Sequence, residues 1–233
     1  MAVIIDNKKI SEQMYLLEIE GQFEGKAGQF YMIKIGEYPL LRRPISIFEI
    51  TDDSIKFLYR ISGEGTELLT KKINGEEINI QGPYGNGFPD IEGKIALVGG
   101  GIGTAPLYQA CKELKENSRN TVVDLYIGFS EEIFLKDLWK QISSSFFYDI
   151  GGFITDHIDV SQYDAIITCG PDVMMKKLVK EGLKNRTKVY VSIESRMACG
   201  IGACLSCTCK TKKGNKKTCK DGPVFLGEEI YHV

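Results

Sequence analysis

Four cysteines near the C-terminus constrain this chain more than any other feature. Cys199, Cys204 and Cys207 are separated by four and two residues, and Cys219 follows after eleven more. Cysteine, four residues, cysteine, two residues, cysteine and a distant fourth is the plant-type spacing for a [2Fe–2S] cluster. Gly200, Gly202 and Ala203 lie between the first two. Small residues let such a loop wrap closely and aim backbone N–H groups at sulfur. The segment therefore reads as a small module held by its cofactor. A cluster carries one electron at a time, so the pattern points to electron movement.

Structural zinc also takes four cysteines, but its sites usually show two short paired spacings, and a four-residue glycine loop is unusual for them. Disulfides fit less well, because Met1–Ile5 followed by Asp6 and Lys8 does not resemble a signal peptide. The seven cysteines are expected to be ligands or buried thiols in a reducing, cytoplasmic setting. Cys209 is the spare in the loop and is expected around the cluster rather than on it. Cys111 reads as a core thiol.

With 233 residues the chain is long enough for two domains and a small appendage. Its 43% hydrophobic and 26% charged residues are those of an ordinary globular protein. A net charge of −2 argues against nucleic-acid and membrane-surface partners. No window approaches a membrane-spanning apolar run. Residues 1–92 read as short strands with turn signals: Tyr15–Glu20, Gln29–Ile35, Ile45–Ile50, Ile55–Ile61 and Glu77–Gln81. That rhythm predicts a small antiparallel barrel.

Over 93–193 the pattern alternates strand and helix, with strands at Ile95–Val98, Val122–Ile127, Ala165–Thr168 and Lys188–Ile193. The helices between them are Pro106–Glu116, Ile133–Ser143 and Val173–Leu183. Such alternation predicts an α/β domain with a parallel sheet. Residues 194–233 hold the cysteine module, where lysines cluster at 210–220; these read as a solvated hairpin.

The run Gly99-Gly100-Gly101-Ile102-Gly103-Thr104-Ala105-Pro106 follows the first buried strand and opens a helix. Glycines let backbone approach a pyrophosphate, and a helix start supplies aligned N–H groups. The third glycine of G-x-G-x-x-G is replaced. The form resembles the nicotinamide-binding loop of ferredoxin–NADP reductase-like proteins, in which Gly99, Gly101, Gly103 and Thr104 would face the nucleotide. Glu131 and Glu132 after the second strand would repel a 2′-phosphate, favouring NAD over NADP. Cys169-Gly170 ends a later strand; in such reductases the matching pair lies near the nicotinamide ring, the alternative being a tight turn with a buried thiol.

In the barrel, Arg43-Pro44-Ile45-Ser46 combines a cation for pyrophosphate with extended backbone that can lie against a flat ring. Leu58-Tyr59-Arg60 and Gly65-Thr66 follow, the latter offering a backbone-plus-hydroxyl phosphate contact. With Gly82-Pro83-Tyr84-Gly85-Asn86-Gly87-Phe88 these look like the FAD domain of the ferredoxin-reductase superfamily. With the cysteine module, and the lead-in Glu194-Ser195-Arg196-Met197-Ala198, the whole chain resembles the electron-transfer subunits of class 1B dihydroorotate dehydrogenases. The resemblance implies an antiparallel FAD-binding barrel, an NAD-binding α/β domain and a [2Fe–2S] module on Cys199, Cys204, Cys207 and Cys219.

It also implies a partner: an FMN-containing catalytic subunit, two of each chain forming a heterotetramer, with electrons passing through the cluster and FAD to NAD. The stretch between Cys207 and Cys219 is shorter than the family leads one to expect, implying a short hairpin. His157 and His232 read as ordinary polar residues, and no residue reads as acid or base for a pyrimidine. Two other readings compete. One is the NAD(P)-linked subunit of a ferredoxin-coupled transhydrogenase or sulfhydrogenase, although in the transhydrogenase type the first ligand is typically aspartate. The other is a zinc-stabilised binding module without enzymatic activity.

Overall fold

A computed structural model describes residues 2–118 and 120–231, so His232 lies outside the described residues. The first unit contains strands β1 Ala2–Lys9, β2 Met14–Glu20, β3 Phe30–Lys34, β4 Arg43–Ser46, β5 Glu49–Ile50 and β6 Ser54–Arg60, then helix α1 Glu64–Leu69 and strand β7 Glu77–Tyr84. Their order across the sheet is β4-β3-β7-β1-β2-β6-β5, and every pairing is antiparallel. The sheet curls so that β4, at one edge, lies against β6. Ile4, Leu17, Ile19, Ile33, Ile55 and Phe57 fill the interior. Alternation in β2 and β6 explains this: a period of two sends every second side chain inward.

The second unit follows the chain as β8 Lys94–Gly100, α2 Ala105–Asn117, β9 Val122–Phe129, α3 Lys136–Ile142, β10 Ser145–Ile150, β11 Ala165–Cys169, α4 Asp172–Asn185 and β12 Lys188–Ser192. Beyond it come the hairpin β13 Thr208–Thr211 and β14 Gly214–Lys217, helix α5 Thr218–Asp221, strand β15 Val224–Leu226 and helix α6 Gly227–Ile230. The second sheet runs β10-β9-β8-β11-β12-β15; all pairings are parallel except β15 with β12. The chain leaves β8 first toward β10 and later toward β12, so a crevice opens between the ends of β8 and β11. Open α/β sheets bind ligands at such a switch point.

Two features of this architecture go beyond the sequence pattern. Because β15 pairs with β12, the residues after 193 are stitched into the second sheet rather than standing apart. The hairpin itself is short: Thr211 faces Gly214 across two residues. The units are also clamped together. Phe48, beside β5, stacks on Tyr108 of α2 at 4.5 Å between ring centroids and meets Trp139 of α3 edge-on at 5.8 Å. Glu49 pairs with Lys112 of α2 at 2.7 Å and with Lys56 at 2.8 Å. Burial alone would raise the Glu49 carboxyl, but the two lysines outweigh it and hold its pKa below the ordinary value.

Candidate functional site

β4 and the end of β6 form one wall of a cavity of about 240 Å³, to which Pro44, Ile45, Ser46, Leu58, Tyr59, Arg60 and Thr66 contribute. The opposite wall comes from the second unit, through Gly103, Pro106 and Cys169. Ser192, Ile193, Glu194, Ser195 and Met197 close it on the side of the cysteine loop. Arg43 and Gly65 lie behind this lining: a side chain on Gly65 would collide with the Arg43 guanidinium, so the cation rests directly on that backbone. The Thr66 hydroxyl is already engaged. It accepts from the Ser62 N–H at 2.8 Å and donates to the Gly63 carbonyl at 2.9 Å, so it also closes its own turn.

A larger cleft of about 1060 Å³ runs across the ends of the parallel strands and shares Arg60, Ile102, Gly103, Ile193 and Glu194 with the first cavity. Gly101 and Gly103 line it for different reasons. Gly101 needs its freedom at φ +55, whereas a Cβ on Gly103 would lie 2.5 Å from the Cys169 carbonyl oxygen. Gly99 sits beneath the loop, where a Cβ would meet Leu107 and Thr104 at 2.8 Å. Thr104 is fully buried and donates its hydroxyl to the Gly101 carbonyl at 2.9 Å, so it shapes the loop from inside.

Cys169 is buried in the wall of the smaller cavity, one residue before Gly170 of the larger cleft, and burial pushes its thiol up to about 12, keeping it protonated near neutral pH. Glu131 and Glu132 are exposed and outside the cleft lining. The chain turns away after Ser130, the last residue of that turn to face the cleft. The lining cations among the described residues are Arg60 and Lys177, and Lys177 is paired with Asp156, another lining residue.

The four cysteines gather as two pairs. Cys207 and Cys219 are buried, with sulfurs 3.2 Å apart, against Phe30 and Met32 of the barrel. Thr218 ties them together: both its N–H and its hydroxyl donate to the Cys207 carbonyl at 3.0 Å. Cys199 is half-buried, Cys204 is exposed, and the two lie within hydrogen-bonding reach of each other. Backbone N–H groups of Cys204, Ile201 and Ala203 point at the Cys199 sulfur and draw its pKa down to about 6. Cys219 moves the other way, up to about 12, through burial and then the neighbouring Cys207 thiol.

Gly200 and Gly202, at φ +75 and +82, give the loop its tight path. No three of the described Cys, His, Asp or Glu side chains converge on one point. Two pairs under converging N–H groups suit a two-iron cluster, in which each iron takes two protein ligands, better than one tetrahedral ion. Cys209 is half-buried on β13 and packs toward the β12 side, away from both pairs. Cys111 is fully buried, with a thiol raised to about 12. Cys111 is a core thiol as expected, whereas Cys209, expected around the cluster, packs instead against the core on the β12 side.

Comparison with known proteins agrees with this geometry. Residues 194–231 match the family model described as the iron–sulfur cluster binding domain of dihydroorotate dehydrogenase B. The chain is 45% identical to the dihydroorotate dehydrogenase B (NAD(+)) electron transfer subunit of Clostridium acetobutylicum, covering 97% of this chain and 95% of that one. It is 43% identical to the counterpart from Clostridium perfringens, again over 97% and 95%. Among solved structures, one of an NADH-dependent reduced ferredoxin-NADP oxidoreductase superposes with a TM-score of 0.90 at 25% identity, covering 99% of this chain and 89% of that one. The ferredoxin-NADP+ reductase of Plasmodium falciparum shares the fold, with a TM-score of 0.62 at 17% identity over 83% and 95%. A barrel, a switch-point cleft and a paired-cysteine loop in one chain, with close relatives matched end to end, place it in the family of dihydroorotate dehydrogenase B (NAD(+)) electron transfer subunits.

Proposed function

We infer that this chain carries electrons from a separate dihydroorotate-oxidising subunit to NAD, a step of pyrimidine biosynthesis. One observation carries the reading. The barrel cavity opens through Arg60, Gly103 and Glu194 into the nucleotide cleft, and closes on its other side with Ser195 and Met197, which lead directly into Cys199. When bound, the cluster supplies one-electron exchange and FAD joins it to the hydride chemistry of NAD.

The chain's own residues then have separate tasks. Pro44, Ile45 and Ser46 would offer extended backbone to the flavin ring, and Leu58 and Tyr59 would exclude water from that cavity. Arg43 supplies positive charge for the pyrophosphate. Gly101 and Gly103 bring backbone close to the nucleotide, with Gly99 and Thr104 bracing the loop. Cys169 adds an uncharged thiol where the two rings would meet. Cys199, Cys204, Cys207 and Cys219 would hold the cluster, with Cys207 and Cys219 packed against the barrel and Cys204 at the surface. Exposed Ile201 and Leu205 flank Cys204, so the donor subunit docks on that side.

The partner is an FMN-containing catalytic subunit, two of each chain assembling in the cytoplasm. Among the described residues no helix is long and apolar enough to cross a membrane. A visible spectrum of the purified chain, with mass analysis of the released flavin, tests the reading. Iron–sulfur and flavin bands with FAD are expected. A colourless zinc protein, or FMN alone, would refute it. Co-purification with the catalytic subunit should give a mass corresponding to two of each.

A further inference from the structure

We propose that Phe153 is the platform on which the adenine ring of NAD stacks, which makes it the residue that selects a dinucleotide over a bare nicotinamide nucleotide. The inference rests on reading the large cleft as the NAD site. Phe153 lines that cleft yet leaves 73% of its surface in water. An aromatic ring so exposed contributes little to packing, and its flat face suits a stacked base.

Topology assigns it to the adenine end. The nicotinamide ring has to reach the flavin cavity, whose walls include Cys169 at the end of β11. Phe153 follows β10, the outermost strand, which lies three strand positions from β11. At roughly 4.8 Å per position the two ends are about 14 Å apart. The second ring of an extended dinucleotide therefore falls on the β10 side. Val173, the other highly exposed apolar residue of the lining, at 74%, stands at the start of α4 beside the nicotinamide end and has no flat face.

The backbone presents this ring in a defined place. Gly151 turns the chain at φ +77, and a Cβ on Gly152 would lie 2.5 Å from the Asp149 carboxylate. That carboxylate is hydrogen-bonded to His157 Nε2 at 3.0 Å. Immediately after Phe153, Ile154 is buried and packs under Gly128 at the end of β9. An anchored residue on one side and a braced glycine turn on the other leave the ring standing over the cleft.

The test compares two hydride donors in ferricyanide reduction by the flavin-loaded protein: NADH, and reduced nicotinamide mononucleotide, which has the same redox ring and no adenosine. For Phe153→Ala, KM for NADH should rise about tenfold with kcat within twofold, the signature of lost uniform binding. Its kcat/KM for the mononucleotide should equal that of the wild type, and Phe153→Trp should restore the NADH value. An unchanged KM for NADH in Phe153→Ala would overturn the proposal, as would a parallel loss with both donors, which marks a structural role. A flavin-loaded wild-type protein that oxidised neither donor would overturn the reading of the cleft itself.

Discussion

Replacing Gly103 by alanine tests whether close backbone packing, rather than glycine flexibility, positions the nucleotide loop. The added Cβ would sit 2.5 Å from the Cys169 carbonyl oxygen and 2.5 Å from the Gly170 Cα. Carbon–oxygen contacts in proteins settle near 3.3 Å or beyond, so the loop has to retreat by about 0.8 Å. The collision is backbone against backbone, and no flexible side chain can yield. Overpacking of this kind costs about 1–3 kcal/mol, and a displacement near 1 Å at a reacting centre can cost on the order of 100-fold. Gly103→Ala should therefore lower kcat/KM for NADH-driven dye reduction by about 10- to 100-fold, with FAD still bound.

Gly101 supplies the control from the same loop. A Cβ there meets nothing within 4 Å, and only its φ of +55 restricts substitution. Asparagine tolerates that region, so Gly101→Asn should keep the loop's fold and bound FAD, and any loss in activity then reports its side chain entering the cleft rather than a backbone collision. Stopped-flow reduction of the bound flavin by NADH reads hydride transfer directly. Wild-type rates for Gly103→Ala would refute the packing argument, as would a loop destabilised in Gly101→Asn as much as in Gly103→Ala in thermal unfolding without nucleotide.

Serine in place of Cys199, Cys204, Cys207 or Cys219 should abolish the iron–sulfur absorption, whereas Cys209→Ser and Cys111→Ser should keep it; iron analysis decides, and iron retained in Cys219→Ser would remove the pairing argument. Arg43→Ala should weaken flavin retention by about 1.5–3 kcal/mol, the worth of a charge-assisted hydrogen bond, measured by equilibrium dialysis. Asp156→Asn releases Lys177 toward the cleft. Because the pair is exposed and such pairs are worth at most about 1 kcal/mol, the NADPH-to-NADH ratio of kcat/KM should rise by up to about fivefold in steady-state assays. Glu49 has a folded-state pKa below its unfolded one, so its contribution is complete above the ordinary carboxylate range, near pH 4.3, and is lost as pH falls through the folded value. Chemical denaturation of Glu49→Gln should show a flatter acid limb than the wild type, with the variants converging at low pH.

Much of this protein is legible in its sequence, because the chemistry-bearing motifs are local. The spacing of Cys199, Cys204, Cys207 and Cys219, the glycine run after β8 and the Arg43–Ser46 segment each impose their requirement within a few residues. The alternation of strand and helix likewise announces the parallel sheet, since its buried strands are mostly apolar runs. What escaped was decided by packing at a distance. β1 is charged and mostly exposed, with only Ile4 fully inward, so no period of two reveals it. β15 is three residues long and exists because β12 offers it an open edge. Glu131 and Glu132 follow the second strand as expected, yet the turn after Ser130 carries them outside the lining, leaving the cleft its Asp156–Lys177 pair. Thr66 is in its expected place, and its hydroxyl closes its own turn. Sequence spacing sets which groups can share a neighbourhood. The direction each side chain faces, and the partner that takes its hydrogen bonds, follow from the tertiary fold, because most buried donors and acceptors settle on whatever the packing brings within reach.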